Sequence, residues 1–454
     1  MKKKVLALAL ALMLIPVAAL AVSYIQAPPL KNVIKTSPGP VKSGGPILTP
    51  IITWGGDLAA ILANGNADFT AKGGIFDQKG LNVKLIRVDD FKKQVDSYIK
   101  GETPFLRGTM GMINMAAEVL NSNQAGKPVV IYQLTWSNGG DCVVVKPGVN
   151  SVADLKGKTV AVQAYGPHVA YLAKVLRDAG LTMKDVRVKW LRDLTGTENS
   201  PMEAFYEPDV DAAFVIIPDG LTLTSGGAVG TGAEGSVKGA KILMSTKTAN
   251  RVIADVYAVR SDFFQANRDW VQKFVHGLLL AEQELAEIFR NKQDQMDRFK
   301  PMITAAAKIL LDSPQATADA EALYADCQYV GFRGNVNFFG NEAWPRSFER
   351  ITEEIQTSFL TAGLIGTRTP LEKARWDYDQ LRAGLSGVDD IEAPRFKTQE
   401  VAKVITQKQA QGMLGEGQLF SFEINFMPNQ KSFSEDLYQD SFKNVVELAA
   451  AYGG

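Results

Sequence analysis

Between residues 46 and 365, two patterns of apolar positions alternate. Short runs rich in valine, isoleucine and leucine predict strands at 47–53, 81–88, 129–134, 143–145, 158–163, 186–191, 210–217, 241–244 and 252–259. Stretches with apolar residues three and four apart predict helices at 58–72, 91–100, 114–121, 168–179, 261–290, 300–311, 316–327 and 344–359. Residues 105–113 read as a further strand that runs directly into the 114–121 helix, and 221–239, rich in Gly, Ser and Thr, as loop. Alternating strands and helices predict an α/β fold with open, largely parallel sheets. In such sheets ligands sit beyond the carboxyl ends of the strands.

The clearest strand–turn–helix unit is 153–181. Lys158 to Gln163 is a β-branched run, and Ala164-Tyr165-Gly166-Pro167 is a turn. From His168 onward, Val169, Leu172, Ala173, Leu176 and Ala179 share a helix face, and Gly180 ends it. Pro167 suits a first turn, where its missing N–H costs nothing. The unpaired N–H groups at such a helix start, with the positive end of the helix dipole, would suit a small anion or polar group.

Outside this region the pattern changes. Met1-Lys-Lys-Lys4, an apolar run from Val5 and the small-residue exit Ala19-Leu20-Ala21 form the three parts of an export signal; an uncleaved anchor is the rival reading. Residues 22–45 are rich in Pro, Lys, Ser and Gly without apolar period and predict a flexible tether. Residues 366–417 read as a charged connector with a helical piece at 398–411. Residues 419–426 alternate with period two as a strand, and 438–452 carry a helical face.

Composition narrows the function. The chain of 454 residues holds 49 basic and 49 acidic side chains, and removing the export signal with its three lysines leaves a slightly acidic balance. No basic stripe is present, which argues against nucleic acid. There is no nucleophile elbow, zinc-protease helix motif, phosphate-binding Walker loop or paired Cys/His spacing, so no enzyme, metal or cofactor is expected. Cys142 and Cys327 are either bridged in an exporting compartment or are separate buried thiols.

Four motifs carry a resemblance: Gly73-Gly-Ile-Phe-Asp-Gln-Lys-Gly-Leu-Asn-Val83, Asp154-Leu-Lys-Gly-Lys-Thr-Val-Ala-Val162, Val210-Asp-Ala-Ala213 and the 257–267 segment YAVRSDFFQAN. Together they resemble the type 2 solute-binding proteins of ABC importers, in the nitrate, sulfonate, taurine and thiamin-precursor branch. The resemblance implies a two-lobe fold with two hinge strands: lobe one from 46–135 and 257–365, lobe two from 136–256. It implies closure around a small-molecule ligand in a periplasm, and delivery to ABC permease subunits. A second resemblance, over 418–454, is to the first strand and helix of an OmpA-like, peptidoglycan-associated domain. The peptidoglycan contacts of that family lie further along its chain and have no counterpart here. The alternative function is a non-transport envelope scaffold or sensor working with an OmpA-like or cell-wall partner.

The family's cleft positions fall on Trp54, Gly55, Gly56, Asp57, Thr109, Ser137, Asn138, Tyr165, Gly166, His168 and Asp219. Trp54 either stacks on a ligand or anchors a lobe surface. Ser137 and Asn138 either offer polar contacts to a ligand or serve the turn. His168 either touches the ligand or caps its helix, while His276 lies on an apolar helix face and reads as packing. Arg107, Arg192 and Arg251 either grip an anion or are solvated. Asp57, Asp141 and Asp219, if they face inward, disfavour an anion and suit an amine or cationic ring.

Overall fold

A computed structural model describes residues 22–249, 251–386 and 439–452. The expected export signal, 398–411 helix and 419–426 strand lie outside the described residues. The strands are β1 (Ile47–Ile51), β2 (Val83–Arg87), β3 (Phe105–Thr109), β4 (Pro128–Ser137), β5 (Asp141–Val145), β6 (Thr159–Gln163), β7 (Arg187–Leu191), β8 (Ala212–Ile216), β9 (Lys241–Ser245), β10 (Ala254–Arg260), β11 (Cys327–Tyr329) and β12 (Glu372–Lys373). They form two five-stranded sheets and one parallel pair, β1 with β2.

The first sheet runs β11-β4-β10-β3 with β12 beside β4; the second runs β7-β6-β8-β5-β9. The chain leaves the first sheet along β4, enters the second at β5, and returns from β9 to β10. Because β4 runs out and β10 runs back, they pair antiparallel at the centre of the first sheet, from Ala254 opposite Trp136 to Arg260 opposite Pro128. That sheet is therefore mostly antiparallel rather than parallel as expected. The fold is a two-lobed α/β frame with β4 and β10 as hinge strands. Every residue of both strands is buried, as strands covered on both faces must be.

Local chemistry moved several element boundaries. The Met110–Leu120 helix starts four residues earlier than predicted, because the Thr109 hydroxyl accepts the Met112 N–H and caps it. Residues 217–223, read as strand end and loop, form a short helix with Pro218 in its first turn. A helix at Gly331–Gly340 had no apolar period strong enough to announce it.

The largest departures are at the two ends. Residues 22–45 are not a flexible tether. Ile25 bridges to Trp190, a short helix forms at Leu30–Val33, and the amides of Gly39 and Lys42 donate to Ile99 and Gly101 carbonyls. Leu30 and Ile34 are buried in a core that also holds Ile113 and Leu172, each worth about 1.5–3 kcal/mol of burial. The first part of the expected connector is also built in. β12 pairs with β4, and the buried Trp376 indole donates to the Ile131 carbonyl at 2.8 Å.

One apolar core spans both lobes, joining the Met110–Leu120 and His168–Asp178 helices through the Phe348–Ala362 helix. A second core, centred on Phe105, Tyr257 and Phe274, lies under lobe one, and a third, around Phe205, lies in lobe two. Cys142 and Cys327 are both buried free thiols.

Under lobe one, Glu282 is fully buried, accepting from the Tyr132 hydroxyl at 2.5 Å and from the Gly331 amide at 3.2 Å. Burial pushes its pKa up to about 8, against those two hydrogen bonds. The folded state thus holds this proton where the unfolded chain has lost it, so stability falls as pH rises from the ordinary carboxylate range through about 8. Urea unfolding at pH 5 and pH 8.5 should show Glu282→Gln losing less stability across the interval than the wild type, by at least about 1 kcal/mol. Parallel losses would refute the assignment.

Candidate functional site

Most of the eleven residues singled out from the sequence are buried rather than lining an open gap. Trp54 follows β1 and precedes a helical turn at Gly55–Asp57. Its indole N–H donates to Thr135 Oγ1 at 3.1 Å, and its ring tip reaches the turn after β4: a Cβ built on Gly140 would lie 2.5 Å from Trp54 Cη2. Gly55 and Gly56 are glycine for a similar reason. A Cβ on Gly55 would lie 1.9 Å from the Leu323 carbonyl oxygen, and one on Gly56 3.1 Å from the Thr135 side chain.

Asp57 meets Arg107, which is fully buried and not solvated. Arg107 Nε donates to Asp57 Oδ1 at 3.1 Å and Nη2 faces Oδ2 at 3.0 Å, while Nη1 donates to Asp255 Oδ1 at 2.8 Å. The Thr135 hydroxyl donates to the other Asp255 oxygen at 3.1 Å. One guanidinium on β3 thus ties the Asp57 turn to the hinge strand β10, and Thr135 brings in β4. Burial works to lower the Arg107 pKa, but Asp57 and Asp255 outweigh it and hold the guanidinium charged. Burial likewise pushes Asp57 up to about 6 and raises Asp255, against the pull of Arg107.

A second polar cluster sits at the start of lobe two. Ser137 donates to Asp141 Oδ2 at 2.6 Å and lies 2.8 Å from the Thr246 hydroxyl. His168, wholly buried at its helix start, has Nε2 2.6 Å from Asp141 Oδ1 and Nδ1 3.1 Å from the Phe214 carbonyl. Both oxygens are met at once only when both ring nitrogens carry protons, or when Asp141 holds the proton it shares with Nε2.

Other candidates are engaged elsewhere. Thr109 caps its helix, and the Asn138 amide donates to the Asp326 carbonyl at 2.8 Å. Tyr165 adopts a left-handed φ of 62° and donates its hydroxyl to the Pro28 carbonyl at 2.8 Å. Gly166 lies against Gln163, whose Oε1 would be 2.0 Å from a Cβ there. Asp219 accepts from Thr195 at 3.1 Å through Oδ1, while its buried Oδ2 has no partner among the described residues. Arg192 is exposed and paired with Asp193; Arg251 is half-buried, its amide donating to Ala451; His276 contacts Lys79 and the Ala383 carbonyl.

The helix starts expected to face a cleft instead face each other. A Cβ on Gly111, in the first turn after Thr109, would lie 2.5 Å from the Ala170 Cβ in the first turn after His168. The lobes are shut at this point.

Sequence reasoning missed Asp255, Thr246 and Asp326. Asp255 and Thr246 lie in or beside strands read only as apolar runs. Asp326 lies within the predicted 316–327 helix, where no motif marked it, and in the structure it follows the last residue of the Thr317–Ala325 helix. Yet its Cβ would sit 3.3 Å from a Cβ on Gly140, the position Trp54 also approaches, and its carboxylate has no hydrogen-bond or ion-pair partner among the described residues. Burial, with the Asp141 charge adding to it, pushes the Asp326 pKa up to about 6, while Lys247 opposes the shift.

Two substitutions test this seam. Arg107→Met leaves two buried carboxylates without a cation and should cost about 3–5 kcal/mol in denaturant unfolding; a loss under about 1 kcal/mol would show that the pair is not a structural tie. Gly111→Val drives a wedge between the two helix starts and should cost about 1–3 kcal/mol through overpacking, with a larger radius of gyration by small-angle scattering. An unchanged radius and melting point would refute the close approach.

Residues 64–287 match the family model described as NMT1/THI5 like. No curated protein matches the chain. Among solved structures it is similar to the periplasmic aliphatic sulphonate binding protein SsuA from Escherichia coli, at 15% identity and TM-score 0.48, covering 78% of this chain and 100% of that one. It is also similar to the periplasmic nitrate-binding protein NrtA from Synechocystis PCC 6803, at 11% identity and TM-score 0.46, covering 82% and 91%. A third is the Candida albicans CA3427 gene product, described as having the generic periplasmic binding protein fold, at 13% identity and TM-score 0.47, covering 74% and 99%. The fold is read from the two sheets and their hinge strands themselves. Residues 64–287, which include both hinge strands and most of the seam, thus carry an NMT1/THI5-like region within a two-lobed α/β frame.

Proposed function

We propose that this chain is an exported solute-binding protein that encloses a small polar molecule between its lobes and delivers it to an ABC permease. The observation that carries the reading is the seam: Trp54 of lobe one stands on the Gly139-Gly140 turn at the lobe crossing, with charged side chains from both lobes gathered around it. When the lobes part, Trp54 and the carboxylate of Asp326 become the walls that a ligand meets first.

The balance of charge sets the ligand class. Asp57, Asp141, Asp255 and Asp326 stand against Arg107, His168 and Lys247, and Arg107 is already taken by two of the acids. The carboxylate of Asp326, beside the turn that the Trp54 ring tip reaches, suits an ammonium or other cationic group better than nitrate or sulfonate. That sets this chain's ligand apart from the sulphonate and nitrate for which its structural neighbours are named.

The second reading, an envelope scaffold or sensor with an OmpA-like or cell-wall partner, draws on the C-terminal helix Gln439–Tyr452. That helix presents Val445 and Val446 to solvent while Tyr452 donates to Asp178 at 2.6 Å on the lobe. Pull-down from envelope extracts separates the two: permease subunits support the first reading, and wall or outer-membrane proteins the second.

Titration calorimetry against a panel of small amines, quaternary ammonium compounds and anions is the direct test. A cationic ligand should bind, and Trp54→Ala and Asp326→Asn should each weaken it by about tenfold, or about 1.4 kcal/mol. Because Asp326 loses its charge as pH falls through about 6, affinity should drop below that pH in the wild type and stay flat in Asp326→Asn. Binding of anions alone, or of nothing in the panel, would overturn the reading.

A further inference from the structure

The segment before the first strand, 22–45, has no apolar period, yet it is laid across both lobes. On lobe two, the Ser23 amide donates to Asn199 Oδ1 at 3.0 Å, and the Ile25 amide donates to the Trp190 carbonyl at 2.9 Å. Tyr24 bonds Glu207, and Lys189 lies over its ring at 4.3 Å from the centroid. On lobe one, Leu30 and Ile34 are buried against the Met110–Leu120 and Phe91–Ile99 helices, Lys31 pairs with Glu118 and Thr36 with Asp96. The amides of Gly39 and Lys42 continue the attachment at Ile99 and Gly101.

Between the two anchors the strand-like stretch passes the turn after β6. There the Pro28 carbonyl accepts the Tyr165 hydroxyl, and Lys92, from the start of the Phe91–Ile99 helix of lobe one, lies 5.6 Å from the same ring centroid. Tyr165 thus meets lobe one and the strap together, at a place the sequence assigned to ligand.

We propose that residues 22–45 form an interlobe strap that latches the two lobes shut and covers the Tyr165 side of the seam, so that the strap must leave lobe two before the lobes part. The proposal rests on the lobes moving, as the solute-binding reading requires, but not on which ligand they hold. A hinge motion changes the distance between Trp190 and Leu30, and a chain segment bonded at both ends resists it. The lobe-one anchor is apolar and buried. The lobe-two anchor is a few hydrogen bonds, a half-exposed tyrosine and the partly buried Val22, Ile25 and Ala27, none of them buried as Leu30 and Ile34 are, so that end is the one that releases. Release costs the contacts made only in the closed state, and their removal shifts the equilibrium toward open.

The test needs no ligand. In the full chain, Lys72→Cys and Lys156→Cys place spin labels on exposed positions of lobe one and lobe two, and the two native thiols are buried. Replacing residues 23–28 with a Gly/Ser sequence of equal length removes every named lobe-two contact and keeps Leu30 and Ile34 in place. Pulsed dipolar spectroscopy should show one narrow distance in the parent. In the variant a second, longer population should appear, with the open-to-closed ratio raised by about tenfold or more, since each lost hydrogen bond is worth about several-fold. Tyr165→Phe, which removes only the bond to Pro28, should raise the ratio to a lesser degree, and a cooperative melt in both variants confirms that they fold. A distance distribution unchanged by the 23–28 replacement would overturn the latch. A changed distribution with no ligand found in any panel would leave the latch standing and remove the solute-binding reading alone.

Discussion

A buried guanidinium holds the centre of this molecule together. Arg107 projects from β3 into a space without solvent, and two carboxylates from separate segments converge on it: Asp57 from the turn after β1, and Asp255 from the hinge strand β10. Taking three charges out of water is expensive, and only close geometry offsets it. That geometry is available because Gly55 and Gly56 let the Asp57 turn approach the β4 edge and the Leu323 backbone more closely than any side chain allows. The requirement propagates. Thr135 satisfies the second oxygen of Asp255 and accepts from Trp54, and Trp54 in turn reaches the turn at which the chain enters lobe two. The electrostatic tie in lobe one therefore fixes the aromatic ring that meets lobe two.

The same economy explains why the helix starts at the seam do not stand open. A helix N-terminus facing a water-filled gap leaves its N–H groups to solvent or a ligand. Here Thr109 caps one start from within, Gly111 has no side chain, and Ala170 has the smallest one, so the two first turns close directly on each other. His168 turns inward instead, to Asp141 and the Phe214 carbonyl. His168, Asp141 and Ser137 satisfy one another, while Thr109, Tyr165 and Asp219 bond to Met112, Pro28 and Thr195, outside the set that sequence logic assigns to a ligand.

What was legible in the sequence follows from what periodicity records. Strands β5 to β8 and the helix after His168 were readable because each buries one repeating face or one continuous apolar run. Capping is equally local chemistry: the Ser200 hydroxyl accepts the Glu203 amide at the start of the Pro201–Phe205 helix. The partners of the residues singled out by resemblance were not legible: that Arg107 would be buried depends on Asp255, far along the chain, and no local pattern encodes that meeting. Asp326 escaped for the same reason. The start of the Met110–Leu120 helix was misplaced because Phe105 to Ile113 is uniformly apolar, and a uniformly apolar run does not distinguish a strand from the buried helix that follows it.

The two segments read as linkers make the sharper point. Low hydrophobicity and many Pro, Gly and Ser residues predict disorder because such a chain cannot bury enough surface to offset its ordering entropy by itself. The argument holds for a segment alone, but not for one laid on a folded body that supplies the other half of each contact. Residues 22–45 bury Leu30 and Ile34 as an apolar anchor, and scattered contacts add to it: side-chain pairs of Tyr24, Lys31 and Thr36, and backbone bonds to Trp190, Ile99 and Gly101 that leave no trace in side-chain pattern. Likewise β12 is two residues long and Trp376 a single anchor, yet they close an edge of the hinge strand β4. Contacts of this kind are individually weak and mostly at the surface, so they form and release without disturbing the cores beneath them. Such contacts fix a segment on a folded body without any periodic pattern of its own, which is why neither segment announces itself in the sequence.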